Sequence, residues 1–428
     1  MPRRYRVKNF TCESGERLTL LLNDASGIPL FEPTLFVLTE LRALNRASAT
    51  LAQALRSVMV GLMALDYMGV DLDARIAKGL LLDLGEIEEL VLLSAATQEA
   101  LDNLPERKTE DTQPGKVSSL EKVRMRANTR GAMSTVGSES AGIRLMYIRD
   151  YIAWLARRRL LRLDHKHPTY LPLSSTSQLV IASLNERIRT SSRRNSVELP
   201  QGMEKAHIER MLDVIRPDSP ENPWKGGHVR VRNQLIFNML LALGLRKSEL
   251  LVARLEDLDL RTNQVLIARR ADDPLDPRAD APNTKTLDRL LVLSDDLAQM
   301  IRSYIKERRL IAGARRYPHL LLANGTGRPL SKQALNKLFV ELRTKVPGLP
   351  DELQPHVLRH SWNDEFSALM DRRNIAPAEE ERMRKQQMGW SDNSKMSAVY
   401  TKRHTKRRTD KASLDLQTEM MSKGADKE

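Results

Sequence analysis

The chain has 428 residues, enough for two or three domains of roughly 150 residues each. It carries 69 Lys and Arg against 55 Asp and Glu, a formal net charge of +14. A basic balance of this size is the electrostatic footprint of a polyanion binder, most often DNA or RNA, although a basic soluble protein with no such partner has the same composition. Aromatic residues make up 4% of the chain, which argues against stacking platforms for single-stranded nucleic acid. Cys12 is the only cysteine, which excludes an intrachain disulfide and suits a reducing cytosol. No run of about 18 apolar residues exists, so no transmembrane helix is expected. The basic start Met1-Pro2-Arg3-Arg4-Tyr5-Arg6 lacks the apolar core of a signal peptide, and the expected location is the cytoplasm, or the nucleus if the source has one.

Residues 1–34 read as short strands and turns, with Leu18 to Leu22 followed by Asn23-Asp24, Gly27, Pro29 and Pro33, and form a small β-like appendage. From Ser48, Leu51, Leu55, Val58, Leu62 and Leu65 fall on one helical stripe that Gly69 ends. An acid-rich helical region runs from about Leu72 to Ala96, and the polar stretch Pro105 to Gly115 reads as a loop. Ser138 and Glu139 cap a further helix striped by Ala141, Leu145, Ile148, Ile152 and Leu155. Its closing triplet Arg157-Arg158-Arg159 fits two roles equally: cations that complement a helix C-terminus, or contacts to DNA phosphates. Residues 191–203, polar with Pro200 and Gly202, read as an interdomain linker.

The C-terminal domain, residues 204–408, opens with a predicted helix over 204–216, then an apolar helix from Asn233 to Leu243 stopped by Gly244. Strands are predicted over 264–268 and 289–293, joined by a turn-rich stretch with Pro274, Pro277 and Pro282. Helices are predicted over 295–312, 331–345, 357–370, 377–388 and 394–401, and a tail occupies 409–428. The fold class is mainly α with a small antiparallel β-sheet.

Within this domain stand residues suited to phosphodiester chemistry. Arg246 follows the helix-ending Gly244 in Gly244-Leu245-Arg246-Lys247-Ser248-Glu249-Leu250, where Glu249 is placed to orient a cation; alone, this is equally a surface Arg/Glu pair. Lys285 sits in Asn283-Thr284-Lys285-Thr286, just before a strand; it is either a hairpin-tip lysine reaching a DNA groove or a solvated loop residue. His356 and Arg359 are three apart on one helix and share a face. Arginine presents a planar fork of donors to phosphate oxygens, and histidine relays protons near neutral pH. His360 lies on a neighbouring face. Tyr400 is either a helix-anchoring aromatic or a nucleophile able to hold a phosphate covalently, with Lys402, Arg403, Lys406, Arg407 and Arg408 following it. His165 and His167 have no partner ligands at a metal-binding spacing, and neither a P-loop nor a GxGxxG fingerprint is present.

In this order the residues resemble the tyrosine recombinase family, the phage-type integrases. The family's first catalytic arginine matches Arg246, its hairpin lysine Lys285, its His-x-x-Arg box His356 and Arg359, and its nucleophile Tyr400. Where the family usually has Leu-Gly-His, this chain has Met388-Gly389-Trp390, so Trp390 is expected to donate a hydrogen bond without taking up a proton. The resemblance is strongest over about 205–408 and extends more loosely across 30–190, so that residues 35–190 correspond to a helical DNA core-binding domain. It implies cleavage and rejoining of double-stranded DNA through a 3′-phosphotyrosyl link, with no metal, nucleotide or other cofactor. It also implies a homotetramer on DNA, accessory recombination proteins as possible partners, and residues 409–428 as a helix exchanged between protomers. Two other readings remain: a type IB topoisomerase, which shares the chemistry, and a non-catalytic DNA-binding regulator.

Overall fold

The computed structural model describes residues 4–104, 133–188, 202–284 and 286–394, with residues 405, 409, 410 and 412–421 towards the C-terminus. They fall into two compact units, one built from the N-terminal hairpin and the helices up to Arg187, the other running from Lys205 onward.

In the first unit β1 (Tyr5–Thr11) pairs antiparallel with β2 (Arg17–Asn23), from Tyr5 opposite Asn23 to Thr11 opposite Arg17. The period-2 alternation of a strand turns Thr19 and Leu21 inward, and both are buried. A short helix α1 (Phe31–Phe36) continues through a wider π-helical turn into α2 (Ser48–Met68). In the sequence stripe of α2, Leu51, Leu55, Val58 and Leu65 are buried and Leu62 is half-buried, and Gly69 ends the helix in the left-handed conformation at φ 70°. By length and composition α2 is the one helix among the described residues able to cross a membrane; most of its apolar stretch lies inside the core of this unit.

The acid-rich helical region from Leu72 to Ala96 holds two helices, α3 (Leu72–Ala77) and α4 (Leu84–Ser94). Asp83 caps α4, accepting from the Glu86 amide at 2.8 Å while Glu86 accepts from the Asp83 amide at 2.9 Å. Arg75 spans the break with a two-pronged ion pair to Glu86, at 2.5 and 2.6 Å. After α5 (Gln98–Asp102) come α6 (Ser138–Leu160) and α7 (Tyr170–Arg187). The last was not apparent from the sequence, because its outer face is Ser/Thr-rich and only Leu173, Ser177, Val180 and Leu184 point inward. The arginine triplet closing α6 is partly spoken for. Arg157 pairs with Glu40 at 2.8 Å, and Arg158 pairs with Glu32 while lying over the rings of Phe31 and Trp154.

The second unit is built around α9 (Gly227–Leu243), whose Leu235, Ile236, Phe237, Met239 and Leu240 are all buried. It follows α8 (Lys205–Val214) and ends at Gly244, φ 62°. Next come α10 (Lys247–Val252) and a three-stranded antiparallel sheet in the order β3 (Leu258–Asp259), β4 (Gln264–Ile267), β5 (Arg289–Val292), with Val265 opposite Leu291 and Ile267 opposite Arg289. Then follow α11 (Asp295–Arg308), α12 (Lys332–Lys345), α13 (Pro355–Arg372) and α14 (Pro377–Met388). Serines cap α11 and α12, and proline opens α13 and α14, where a missing amide hydrogen is harmless. The helix predicted over 394–401 falls, from 395 on, outside the described residues.

The proline-rich stretch between β4 and β5 is anchored rather than loose. Arg278 pairs with Asp276 at 2.6 Å and donates to the carbonyls of Leu330 at 2.6 Å and Leu251 at 3.1 Å. His319 stands 3.6 Å from the same carboxylate. Burial opposes ionisation of Asp276, but His319 and Arg278 outweigh it and hold the carboxyl well below the usual carboxylate range. Replacing Arg278 by Met takes the permanent cation from this buried carboxylate, and we expect the unit to lose about 3 kcal/mol in urea unfolding, the scale of breaking a buried pair. A midpoint equal to wild type would show that the loop is held by something else.

Candidate active site

Arg246 is the residue before α10, with an extended backbone (φ −75°, ψ 150°). Its amide donates to Glu249 Oε2 at 3.0 Å and its Nη1 to Glu249 Oε1 at 3.3 Å, so the carboxylate fixes both the helix start and the guanidinium. Glu249 is itself 1% exposed. From β5, Arg289 Nη2 donates to Glu249 Oε2 at 2.9 Å; from the loop before it, Thr286 Oγ1 donates to Oε1 at 2.7 Å. From α13, Arg359 Nη1 lies 3.8 Å from Oε2 and donates to the Gly244 carbonyl at 2.6 Å. Three guanidinium groups from three parts of the chain thus meet on one carboxylate. Burial works against the charge of Glu249, yet Arg289 and then Arg359 hold its pKa below the ordinary value.

The sequence pair His356 and Arg359 does share the face of α13 that looks onto this cluster. His356 is exposed at the surface, while Arg359 is 1% exposed. Partial desolvation and the positive charges of Arg359, Arg246 and Lys247 push the His356 pKa down, which keeps the ring neutral near pH 7. His360 is buried with its ring edge-on to His356, centroids 4.3 Å apart.

Trp390 follows the left-handed cap of α14 at Gly389, φ 63°. Its indole is buried and packs under Arg359, whose guanidinium carbon lies 5.6 Å from the ring. Two backbone links tie this turn to β5: the Leu287 amide donates to Gly389 O at 3.0 Å, and Arg289 Nε donates to Gln387 O at 2.7 Å. Both glycines are required by close approach as well as by φ. A Cβ on Gly389 would stand 2.9 Å from the Leu287 carbonyl, and one on Gly244 would stand 2.7 Å from Met388 Cε.

Of the residues singled out in the sequence, the structure therefore brings together Arg246, His356, Arg359 and Trp390. Lys285 and Tyr400 lie outside the described residues. Arg289 is a member of the cluster that sequence reasoning passed over. The signal was available: in the inward register of β5, Arg289 alternates with Leu291 while Leu290 and Val292 face out. No group of His, Cys, Asp and Glu able to hold a metal occurs among the described residues.

Residues 202–407, which include every cluster member, match the sequence profile of the Phage integrase family. This region is a domain of the phage integrase family of tyrosine recombinases. Similar curated sequences include the tyrosine recombinase XerD of Staphylococcus saprophyticus, 28% identical over 131 residues, which cover 31% of this chain and 39% of that one. The tyrosine recombinase XerC of Staphylococcus carnosus is 26% identical over 170 residues, 38% of this chain and 47% of that one. The chain thus aligns with less than half the length of each of these relatives. Among solved structures, the Tn1549 transposon integrase in complex with circular intermediate DNA overlays with a TM-score of 0.42 at 17% identity, over 80% of this chain and 94% of that one.

Among the described residues Glu249 is the carboxylate that pairs with both Arg289 and Arg359, so Glu249→Gln takes a shared counter-ion from two buried guanidinium groups. The expected loss at pH 7 is about 3–5 kcal/mol in urea unfolding. Because the folded-state pKa of Glu249 lies below its unfolded value, its stabilisation is complete above the ordinary carboxylate range and fades as pH falls through the folded pKa. The gap between wild type and Glu249→Gln should therefore narrow below about pH 4; a gap that stays constant down to pH 2 would refute this.

Proposed function

We propose that this protein is a site-specific DNA recombinase, the integrase or transposase of a mobile element, cleaving and rejoining double-stranded DNA through Tyr400. The observation that carries this reading is the convergence of Arg246, Arg289 and Arg359 on buried Glu249, with His356 and Trp390 beside them. Among the described residues one carboxylate faces three permanent cations, an excess of positive charge in a rigid setting. That is the arrangement that stabilises a pentacoordinate phosphate transition state without reorganising.

In the proposed reaction the Tyr400 hydroxyl oxygen attacks the scissile phosphorus, and the bond from phosphorus to the 5′-oxygen breaks. Arg246 and Arg359 bind the non-bridging oxygens, with Trp390 donating its indole N–H and packing under Arg359. His356, neutral at pH 7, accepts the proton from the tyrosine, and Lys285 gives one to the departing 5′-oxygen. Attack by a partner strand's 5′-hydroxyl on the phosphotyrosyl link reverses these steps and releases the tyrosine. The bond energy stays in the covalent link, so the cycle as proposed draws on no nucleotide or metal.

The working form we propose is a homotetramer on two duplexes, in the cytoplasm, with accessory recombination proteins as further partners. The tail supports exchange between protomers: residues 412–421 are helical, and Leu414, Leu416, Met420 and Met421 are 61%, 53%, 65% and 80% exposed.

The test is covalent trapping. Nicked duplex fragments from around the native gene, incubated in EDTA without ATP, should yield an SDS-resistant protein–DNA adduct with wild type and none with Tyr400→Phe. An adduct with Tyr400→Phe would rule out the nucleophile; tight, salt-sensitive binding with no adduct would favour a DNA-binding regulator. Relaxation of any supercoiled plasmid regardless of sequence would point to a topoisomerase.

The proposed base role of His356 adds a pH prediction. Since its pKa is displaced downwards, the rate of adduct formation should stay flat below the ordinary histidine midpoint of about 6.5 before falling with acid. His356→Gln should be slower and lack that inflection; an inflection unchanged in the variant would assign it to another group.

A further inference from the structure

Arg384 is a wholly buried cation, 0% exposed, on the inner face of α14. It forms an ion pair with Glu380 one turn earlier. Its Nη2 donates to Ser367 Oγ at 2.5 Å, and its Nη1 reaches the backbone carbonyl and side-chain oxygen of Asn363 at 3.4 and 3.3 Å. Ser367 in turn donates to Glu380 at 2.9 Å. Ser367 and Asn363 belong to α13, so a closed polar network pins α14 to the helix that carries His356 and Arg359.

The network reaches the site by two routes. Asn363 Nδ2 donates to the backbone carbonyl of Arg359 at 2.8 Å, one turn back along α13. On the other side the Arg384 guanidinium lies 5.4 Å from the ring centre of Phe366, which stacks on Trp362 at 4.8 Å. Trp362 and Met388 close on Gly244, whose carbonyl receives Arg359. From Arg384 the helix runs one further turn to Met388 and the Gly389–Trp390 turn.

We propose that Arg384 is a positioning residue for the site, fixing the register of α14 on α13 so that Trp390 meets the guanidinium of Arg359. The proposal rests on the reading of the site as a strand-exchange centre. Physically, apolar packing would hold the two helices together at less desolvation cost, but it tolerates sliding by a fraction of a turn. A buried guanidinium with its acceptors on both helices does not: any slide breaks several hydrogen bonds in a place where water cannot replace them. A fraction of an ångström at Trp390 matters because the phosphate-binding groups must already stand in place when the tyrosine attacks.

The experiment uses the full chain and the duplex whose cleavage site wild type reveals by covalent trapping. Arg384→Lys keeps a cation beside Glu380 but loses the planar fork. At saturating DNA, its single-turnover rate of adduct formation should fall about tenfold or more, a size expected from sub-ångström misplacement, while DNA affinity stays within about twofold, because no phosphate-contacting group has changed. The loss should be non-additive with Trp390→Phe, the double variant being no slower than the slower single one, since Arg384 acts through that residue. Should Arg384→Lys not fold, Ser367→Ala removes one acceptor without touching a charge, and it should slow the same step. A folded variant that cleaves at the wild-type rate, or effects that simply multiply, would overturn the positioning role alone. A wild-type protein that forms no adduct would overturn the strand-exchange reading and this proposal with it.

Discussion

The site depends on a single buried carboxylate. Glu249 receives a backbone amide, a threonine hydroxyl and the guanidinium groups of three arginines drawn from positions 246, 289 and 359. Without that anion, two buried cations would lose the carboxylate they share, a loss that costs several kcal/mol. With it, the cations are locked at fixed distances, and among the described residues they outnumber that carboxylate. On the proposed function a phosphate entering the cluster would balance that charge, so the electrostatics that stabilise the fold would also prepare it for an anion. Arg246 is the least buried of the three, with a side chain 27% exposed; it is the one whose donors are open to a ligand, while Arg289 is spent largely on holding the others.

Assembling groups so far apart in sequence needs a scaffold whose elements cannot drift. The scaffold is the apolar core around α9, continuous with β4, β5, α11 and α13. Where elements end, backbone geometry takes over from hydrophobic packing. The left-handed caps at Gly244 and Gly389 turn the chain out of α9 and α14 in spaces that would not admit a β-carbon. Each turn then carries a site group away from its helix: Gly244 leads to Arg246 and Gly389 to Trp390.

Much of this was legible in the sequence, and the failures have a common cause. Apolar stripes located α2, α6 and the latter half of α9, and glycines marked the ends of α2 and α9, because hydrophobic periodicity and left-handed caps are local properties. His356 and Arg359 could be placed on one face by spacing alone. What stayed hidden were the buried charges. Arg278, Arg289 and Arg384 each look like solvated surface residues, since spacing alone does not distinguish an arginine folded into the interior with its carboxylate, whether that partner is close in sequence as for Arg278 and Arg384 or distant as for Arg289, from one that meets water. The break between α3 and α4 was missed for the same reason in reverse: Asp83 and Glu86 read as an acidic helical run, whereas their side chains are turned back on the backbone to start a new helix. In α7 the polar outer face masked a narrow apolar stripe.

These buried arginines share a further logic. Arg359 donates to the carbonyl of Gly244 at the end of α9, Arg289 to that of Gln387 in the last turn of α14, and Arg278 to that of Leu251 in the last turn of α10. Carbonyls at a helix C-terminus lack intrahelical donors and carry the negative end of the helix dipole, so each is a natural seat for a cation. In each case a carboxylate, Glu249 or Asp276, supplies the rest of the counter-charge. A lysine could neutralise that charge, but it has no planar fork with which to bind a carboxylate and a carbonyl at once in fixed directions. The arginines of this domain are thus held from behind by helix ends before any substrate arrives. The rigidity of Arg359 follows from the same interaction that terminates a neighbouring helix.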